Sequence, residues 1–164
     1  MHSQIEPREH VVTPQAITLC GASQGDAEAL ATLRVHAMRD SLEQVGRFDA
    51  ERARARFLSS FEPSYTRHIV HDGTTVGFVV VRPLQEQLLL DHLYIHPDFQ
   101  GKGLGAAVLV IVFSEADAVK KDLRVGALKQ SRANDFYVRH GFQAVEQGEW
   151  DNYYLRRAAV LEGA

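Results

Sequence analysis

The feature that most constrains this chain is the segment 88–106, which reads L-L-L-D-H-L-Y-I-H-P-D-F-Q-G-K-G-L-G-A. An apolar run suited to a buried strand stops at His96 and Pro97, and a short polar turn follows. Glycines at 101, 103 and 105 then alternate with other residues, and 104–112 continue as an apolar helix. Strand, glycine turn and helix in that order leave several backbone N–H groups unpaired at the mouth of a helix, where the helix end also carries partial positive charge. Such a mouth suits phosphate. Glycine is needed there because a side chain would hold the phosphate away from the main chain.

Spacing sorts the phosphate loops that could own this turn. A Walker A loop requires Ser or Thr after its Lys, and Lys102 is followed by Gly103. Gly101-x-Gly103-x-x-Ala106 fits a relaxed dinucleotide fingerprint, with Asp122 near the position of a ribose-binding acid. That fingerprint begins almost at the strand end, however, and here 96–100 intervene. The third reading also uses Gln100, as Q-x-x-G-x-G after Tyr94, Ile95, His96 and Pro97. In this form the segment resembles the acyl-CoA pyrophosphate loop of the GNAT N-acetyltransferase superfamily. A second segment, 130–142 (Q-S-R-A-N-D-F-Y-V-R-H-G-F), resembles the other GNAT signature through Tyr137, Gly141 and Phe142. The family's asparagine falls on Gln130 here, and Asn134 stands one helical turn further on. The resemblance spans 16–156.

Composition narrows the alternatives. A chain of 164 residues with 45% hydrophobic and 24% charged residues suits one globular domain. The expected division is a flexible arm, 1–15, and a single domain, 16–164. A net charge of −3 without a basic block argues against nucleic acid or an anionic membrane as partner. Cys20 stands alone, which excludes a disulfide framework and a cysteine zinc site. The longest apolar run, 106–113, is too short to span a bilayer, and 1–15 is too polar for a signal peptide. The default setting is the cytoplasm.

In chain order, 16–20 reads as a first strand, and Ser23-x-x-Asp26 as a capping box opening a helix with Leu30, Leu33 and Ala37 on one face. Gly46 breaks the pattern and Asp49 caps a second helix, whose Arg52, Arg54 and Arg56 read as solvated. Two β-rich runs, 66–70 and 75–81, flank Asp72-Gly73 as a hairpin ended by Pro83. After the glycine turn come a helix (102–120), a strand (123–128), a helix (132–140) stopped by Gly141, and two last strands (142–145, 153–155). This order predicts an α/β fold, a single-domain mixed sheet; the resemblance adds GNAT topology, with central strands splayed around a cofactor.

The resemblance implies an acetyl-CoA-dependent N-acetyltransferase acting on a primary amine by direct attack. It implies pairing of main-chain groups of Leu93, Tyr94 and Ile95 with the pantetheine arm. The diphosphate would be held by Gln100, Gly101, Lys102, Gly103, Leu104, Gly105 and Ala106, and a further contact would come from Gln130 or Asn134. Tyr137 stands where the family's proton-donating tyrosine does, and a homodimer is a further expectation. The base is read from the residues: Asp91 is the only carboxylate within the strand 88–95, with His92 as fallback. Strict alternation puts Asp91 on the face of Leu89 and Leu93 and His92 opposite. No metal is expected of His92 and His96. Acceptor choice falls to 38–48 and 147–153, with Glu146, Glu149 and Asp151 able to attract a cationic amine. A CoA-binding module without turnover, supported by Gln130, and a dinucleotide-dependent oxidoreductase are the competing readings.

Overall fold

The computed structural model describes residues 16–159; the expected arm, 1–15, lies outside the described residues. The elements are β1 (Thr18–Gly21), α1 (Ala27–Gln44), α2 (Ala50–Ser60), β2 (Thr66–His71), β3 (Thr74–Pro83) and β4 (Gln87–Ile95), followed by α3 (Leu104–Ala118), β5 (Asp122–Leu128), α4 (Ala133–Arg139), β6 (Gln143–Gln147) and β7 (Asp151–Arg156). They form one seven-stranded sheet in the order β1-β2-β3-β4-β5-β7-β6. The pairing of β4 with β5 is parallel and every other pairing is antiparallel. This is the expected mixed α/β sheet. It is not the all-parallel, doubly wound sheet that a dinucleotide oxidoreductase would need.

Local signals set the joints. Asp72 and Gly73 both take positive φ, 49° and 75°, the conformation of a two-residue hairpin turn. Asp49 accepts a hydrogen bond from the Arg52 N–H at 3.1 Å and so starts α2. The Ser23–Asp26 box is present, but it opens a short 3-10 turn, Gln24–Asp26, that runs on into α1. Among the described residues no helix is long and apolar enough to cross a membrane.

β3 divides the core between two layers, alternating from Gly77 onward, while an extra residue at Val76, where Ile69 pairs with Gly77 but Val70 with Thr75, puts Val76 on the face of Val79. Val76 and Val79 pack with Leu104, Val108, Leu109 and Val112 of α3, while Phe78 and Val80 pack with Leu30 and Ala31 of α1 and Phe57 of α2. Two irregularities then shape β4. Val80 pairs with His92 but Val81 pairs with Leu90, so Asp91 is an extra residue, a bulge. The parallel pairing with β5 runs only from Gln87–Asp122 to Leu90–Val125, ending where the bulge begins. A bulge bends its strand and adds twist, and here it accompanies the parting of β4 from β5.

The bulge corrects the expectation of strict alternation. Leu90 packs toward α3, yet His92, two residues on, packs against Phe57 of α2. Asp91 and His92 face the same side, their side chains 3.6 Å apart, and Leu93 faces α3 instead. One inserted residue moves everything after it to the other face.

Candidate active site

The glycine turn is built as a cradle. Gly101 and Gly103 take φ of 77° and 78°, left-handed conformations that a side chain would strain, and Gly103 is the N-cap of α3. The first ladder bond runs from Ala107 N–H to the Gly103 carbonyl at 3.2 Å. The N–H groups of Gly101, Lys102, Gly103, Leu104, Gly105 and Ala106 find no acceptor among the described residues. Six successive donors at a helix N-terminus are a site for a diphosphate. Lys102 Nζ lies 5.4 Å from the centre of the Phe99 ring and adds positive charge at the mouth. Two members serve through packing as well. Leu104 is buried under the sheet, and a Cβ on Gly105 would stand 3.2 Å from the Phe136 ring.

The free edge of β4 is more restricted than expected. His96 N–H donates to the Val76 carbonyl at 2.8 Å, which fixes the phase of the β3–β4 ladder. By alternation the backbone groups of Tyr94 turn toward β3, and those of Leu93 and Ile95 turn toward the gap. The close approach of the Tyr94 carbonyl to Gly77, where a Cβ would fall 2.1 Å away, agrees with this. Tyr94 is therefore corrected as a main-chain contact; it contributes its ring instead. Gln100 is also redirected, because its Nε2 donates to the Ile95 carbonyl at 2.9 Å. Leu93 N–H, Leu93 C=O and Ile95 N–H are left facing the gap.

Between β4 and β5 lies a cleft of about 750 Å³, closed at one side by α1 and α2 and at the other by the β6–β7 tip. Tyr137 borders it and is only 6% exposed. Its hydroxyl has no hydrogen-bond partner among the described residues, and burial, with Tyr94 adding, holds it above the ordinary tyrosine range. It stays protonated at neutral pH and can donate. Asp91 accepts from Arg82 Nε at 2.7 Å, so this carboxylate is held in an ion pair at the cleft wall. Burial pushes His92 down from 6.5 to about 4 against the pull of Asp91, with Arg34 and Arg82 adding to the drop. Its imidazole is thus neutral, with Nδ1 3.3 Å from the Tyr94 hydroxyl. His96 is elsewhere, accepting from Asp98 N–H at 3.2 Å, and no cluster of metal-binding side chains occurs among the described residues.

The two amide candidates near α4 come out differently from expectation. Asn134 is turned inward: Nδ2 donates to the Leu128 and Ser131 carbonyls at 2.9 Å each. Its Oδ1 accepts from Tyr154 Oη at 2.8 Å and Asn152 Nδ2 at 3.0 Å. Gln130 is an exposed turn residue with φ of 70° that does not border the cleft. The residues that do are Ser131, Arg132 and Ala133. On the acceptor side, Glu146 is paired with Arg124 at 2.8 Å and Glu149 lies outside the cleft, which leaves Asp151. Sequence reasoning missed Arg34, a polar residue inside a helical apolar stripe. The two expected acceptor segments, 38–48 and 147–153, meet where the Arg47 guanidinium lies 3.9 Å from the Trp150 ring.

A family model described as the acetyltransferase (GNAT) domain matches residues 64–144, the stretch holding the cradle, the splayed strands and Tyr137. The chain carries a GNAT acetyltransferase domain. Solved GNAT-fold structures agree along nearly the whole described length. The PaiA N-acetyltransferase of Thermoplasma acidophilum, in complex with coenzyme A, is 15% identical, covers 87% of this chain and 99% of its own, and gives a TM-score of 0.73. An acetyltransferase of Thermus thermophilus is 21% identical, with coverage of 88% and 98% and a TM-score of 0.70. The ribosomal-protein-S18-alanine N-acetyltransferase of Escherichia coli is 15% identical, with coverage of 91% and 99% and a TM-score of 0.64. No curated protein matches the sequence. The GNAT domain makes the chain an acyl-CoA N-acetyltransferase with acetyl-CoA as cosubstrate, and the six free donors and the open β4 edge fit that molecule.

Proposed function

We propose that this chain acetylates a primary amine by direct attack on the thioester, with binding and proton transfer assigned to the residues of one cleft. The observation that carries the reading is the run of unpaired N–H groups at 101–106, which follows directly on Gln100 where that residue borders the cleft together with Leu93, Ile95 and Tyr137. These amides hold the diphosphate, and Leu93 and Ile95 extend their ladder to the pantetheine amides as if to an added strand. Acetyl-CoA supplies an activated acetyl group. An N–C bond forms and a C–S bond breaks, so the amine must lose a proton and the departing sulfur gains one.

An alkylamine with a pKa near 10.4 costs about 4–5 kcal/mol to deprotonate at pH 7, more than the thiol side requires. The adjoining Asp91 and His92 take that proton in this reading: the neutral imidazole has a lone pair, and the Asp91 carboxylate steadies the cation formed. Tyr137 returns a proton to sulfur, its burial keeping the hydroxyl protonated until needed. The reading places the chain in the cytoplasm, where the exposed Cys20 thiol stays reduced, with a homodimer as the expected assembly.

The test is Gly103→Val, which forces a β-branched residue into a left-handed position at the cradle. Titration calorimetry should show acetyl-CoA affinity weakened by about 10²-fold, the loss of one to two charge-assisted hydrogen bonds. Unchanged affinity in a folded variant would remove the cradle assignment.

A further inference from the structure

The acceptor half of the cleft contains a charge that this scheme leaves unused. Arg34, on α1, is 9% exposed and is the one charged side chain buried among the described residues. Its Nη1 donates to the Ala53 carbonyl at 2.5 Å, while its Nε has no partner among the described residues. Arg39, Arg54, Arg67, Arg82, Arg124 and Arg156 each meet an Asp or Glu, yet no carboxylate of the described residues reaches Arg34. A buried cation without a counter-ion is a large cost to a fold, and at the wall of an open cleft it marks a place for an incoming anion.

The surroundings extend the point. Arg52 and Arg56 stand one turn apart on α2 and line the same wall, again without a carboxylate. Asp49 is committed to capping α2 and Asp91 to Arg82, which leaves Asp40 on α1 and Asp151 on the β6–β7 side as acids facing the space. The diphosphate is not the anion in question. Its cradle begins α3, which packs on the sheet face of Val76 and Val79, whereas α1 and α2 pack on the opposite face, with Phe78 and Val80.

We propose that Arg34, supported by Arg52 and Arg56, receives a carboxylate carried by the acceptor, so that the substrate is an amine bearing its own carboxylate, of the amino-acid class. Arginine suits this because its planar fork matches a carboxylate and stays charged when buried. Asp151 then faces the ammonium end, and a zwitterion is matched at both poles. The inference rests on the acetyltransferase reading for what happens next, but not for binding.

The test uses matched acceptors: a panel of α-amino acids and the amines left when each loses its carboxylate, phenylalanine with phenethylamine among them. Thiol release measures turnover, and calorimetry measures binding to the CoA-saturated chain. The amino acids that serve as acceptors should exceed their partners by about 10²-fold or more in kcat/KM, as in sites whose buried polar groups are otherwise left unmatched. Arg34→Gln should cut that preference below about tenfold, with acetyl-CoA affinity retained as the sign of a folded variant. Replacing the exposed Arg52 and Arg56 by Ala should lower it also. Equal turnover of decarboxylated amines by the native chain, or a preference surviving in Arg34→Gln, overturns the carboxylate site while leaving the enzyme reading intact. Arg34-dependent binding of amino acids without any turnover does the reverse.

Discussion

The two halves of the cleft are made of different material. The cofactor half is main chain: six amides at the start of α3 and the outward groups of Leu93 and Ile95. The acceptor half is side chain, drawn from α1, α2, β4 and the β6–β7 tip, with Arg34, His92, Tyr94 and Asp151 brought together from distant positions. A backbone site depends on conformation, so a few glycines and a strand end announce it. A side-chain site depends on which faces meet, and a single bulge at Asp91 changes that.

Removing the proposed proton donor, Tyr137, which borders the cleft from α4, should break the comparison most visibly. Tyr137→Phe should lower kcat by about 10²-fold or more with little change in the acetyl-CoA KM. Activity close to wild type in a pre-steady-state assay would assign the proton elsewhere.

A second effect separates the halves by pH. The unfolded chain takes a proton on His92 near 6.5 and the folded chain only near 4, so between those values the unfolded state holds more protons. Stability should therefore fall as pH drops through that window. Burial is the cause, and the groups around the ring are Asp91, Arg34, Arg82 and Tyr94. Thermal midpoints recorded from pH 7 to 4 should decline more steeply in the native chain than in His92→Phe; equal slopes would contradict the assignment.

Asn134 and Gln130 provide the smaller effects. Asn134→Ala leaves the Leu128 carbonyl and the Tyr154 hydroxyl without their partner, and chemical denaturation should register a loss of about 1–3 kcal/mol. Gln130→Ala should leave acetyl-CoA affinity within about twofold, since a neutral contact even of ordinary strength would cost several-fold. A larger loss would restore the side-chain contact that the turn geometry removes.

Much of the fold was legible in the sequence wherever one local signal decides an element. Asp72-Gly73, Asp49 and Gly141 each set a turn or a cap, and the β-rich run 75–81 announced a strand, which is buried on both faces. The glycine cradle was legible for the same reason. The sheet order, with β7 between β5 and β6, was not, because it depends on pairing between segments that carry no mutual signal. Nor was the bulge, which reversed the placing of His92 and Leu93, since periodicity assumes that no residue is inserted. Asn134 illustrates a further limit: an amide one turn from the family's position looks the same in sequence whether it faces a ligand or knots α4 to β7. Arg34 was read past because a lone arginine in a helix is usually solvated.

The central claim is that the amides of 101–106 are held free for a diphosphate beside a strand that has parted from its neighbour. Amide NMR of the ¹⁵N-labelled chain, titrated with CoA and then with pantetheine, tests it directly. CoA should shift those six resonances downfield and slow their hydrogen exchange, and pantetheine, which lacks the diphosphate, should move only Leu93 and Ile95. Resonances of 101–106 that stay in place at saturating CoA would contradict it.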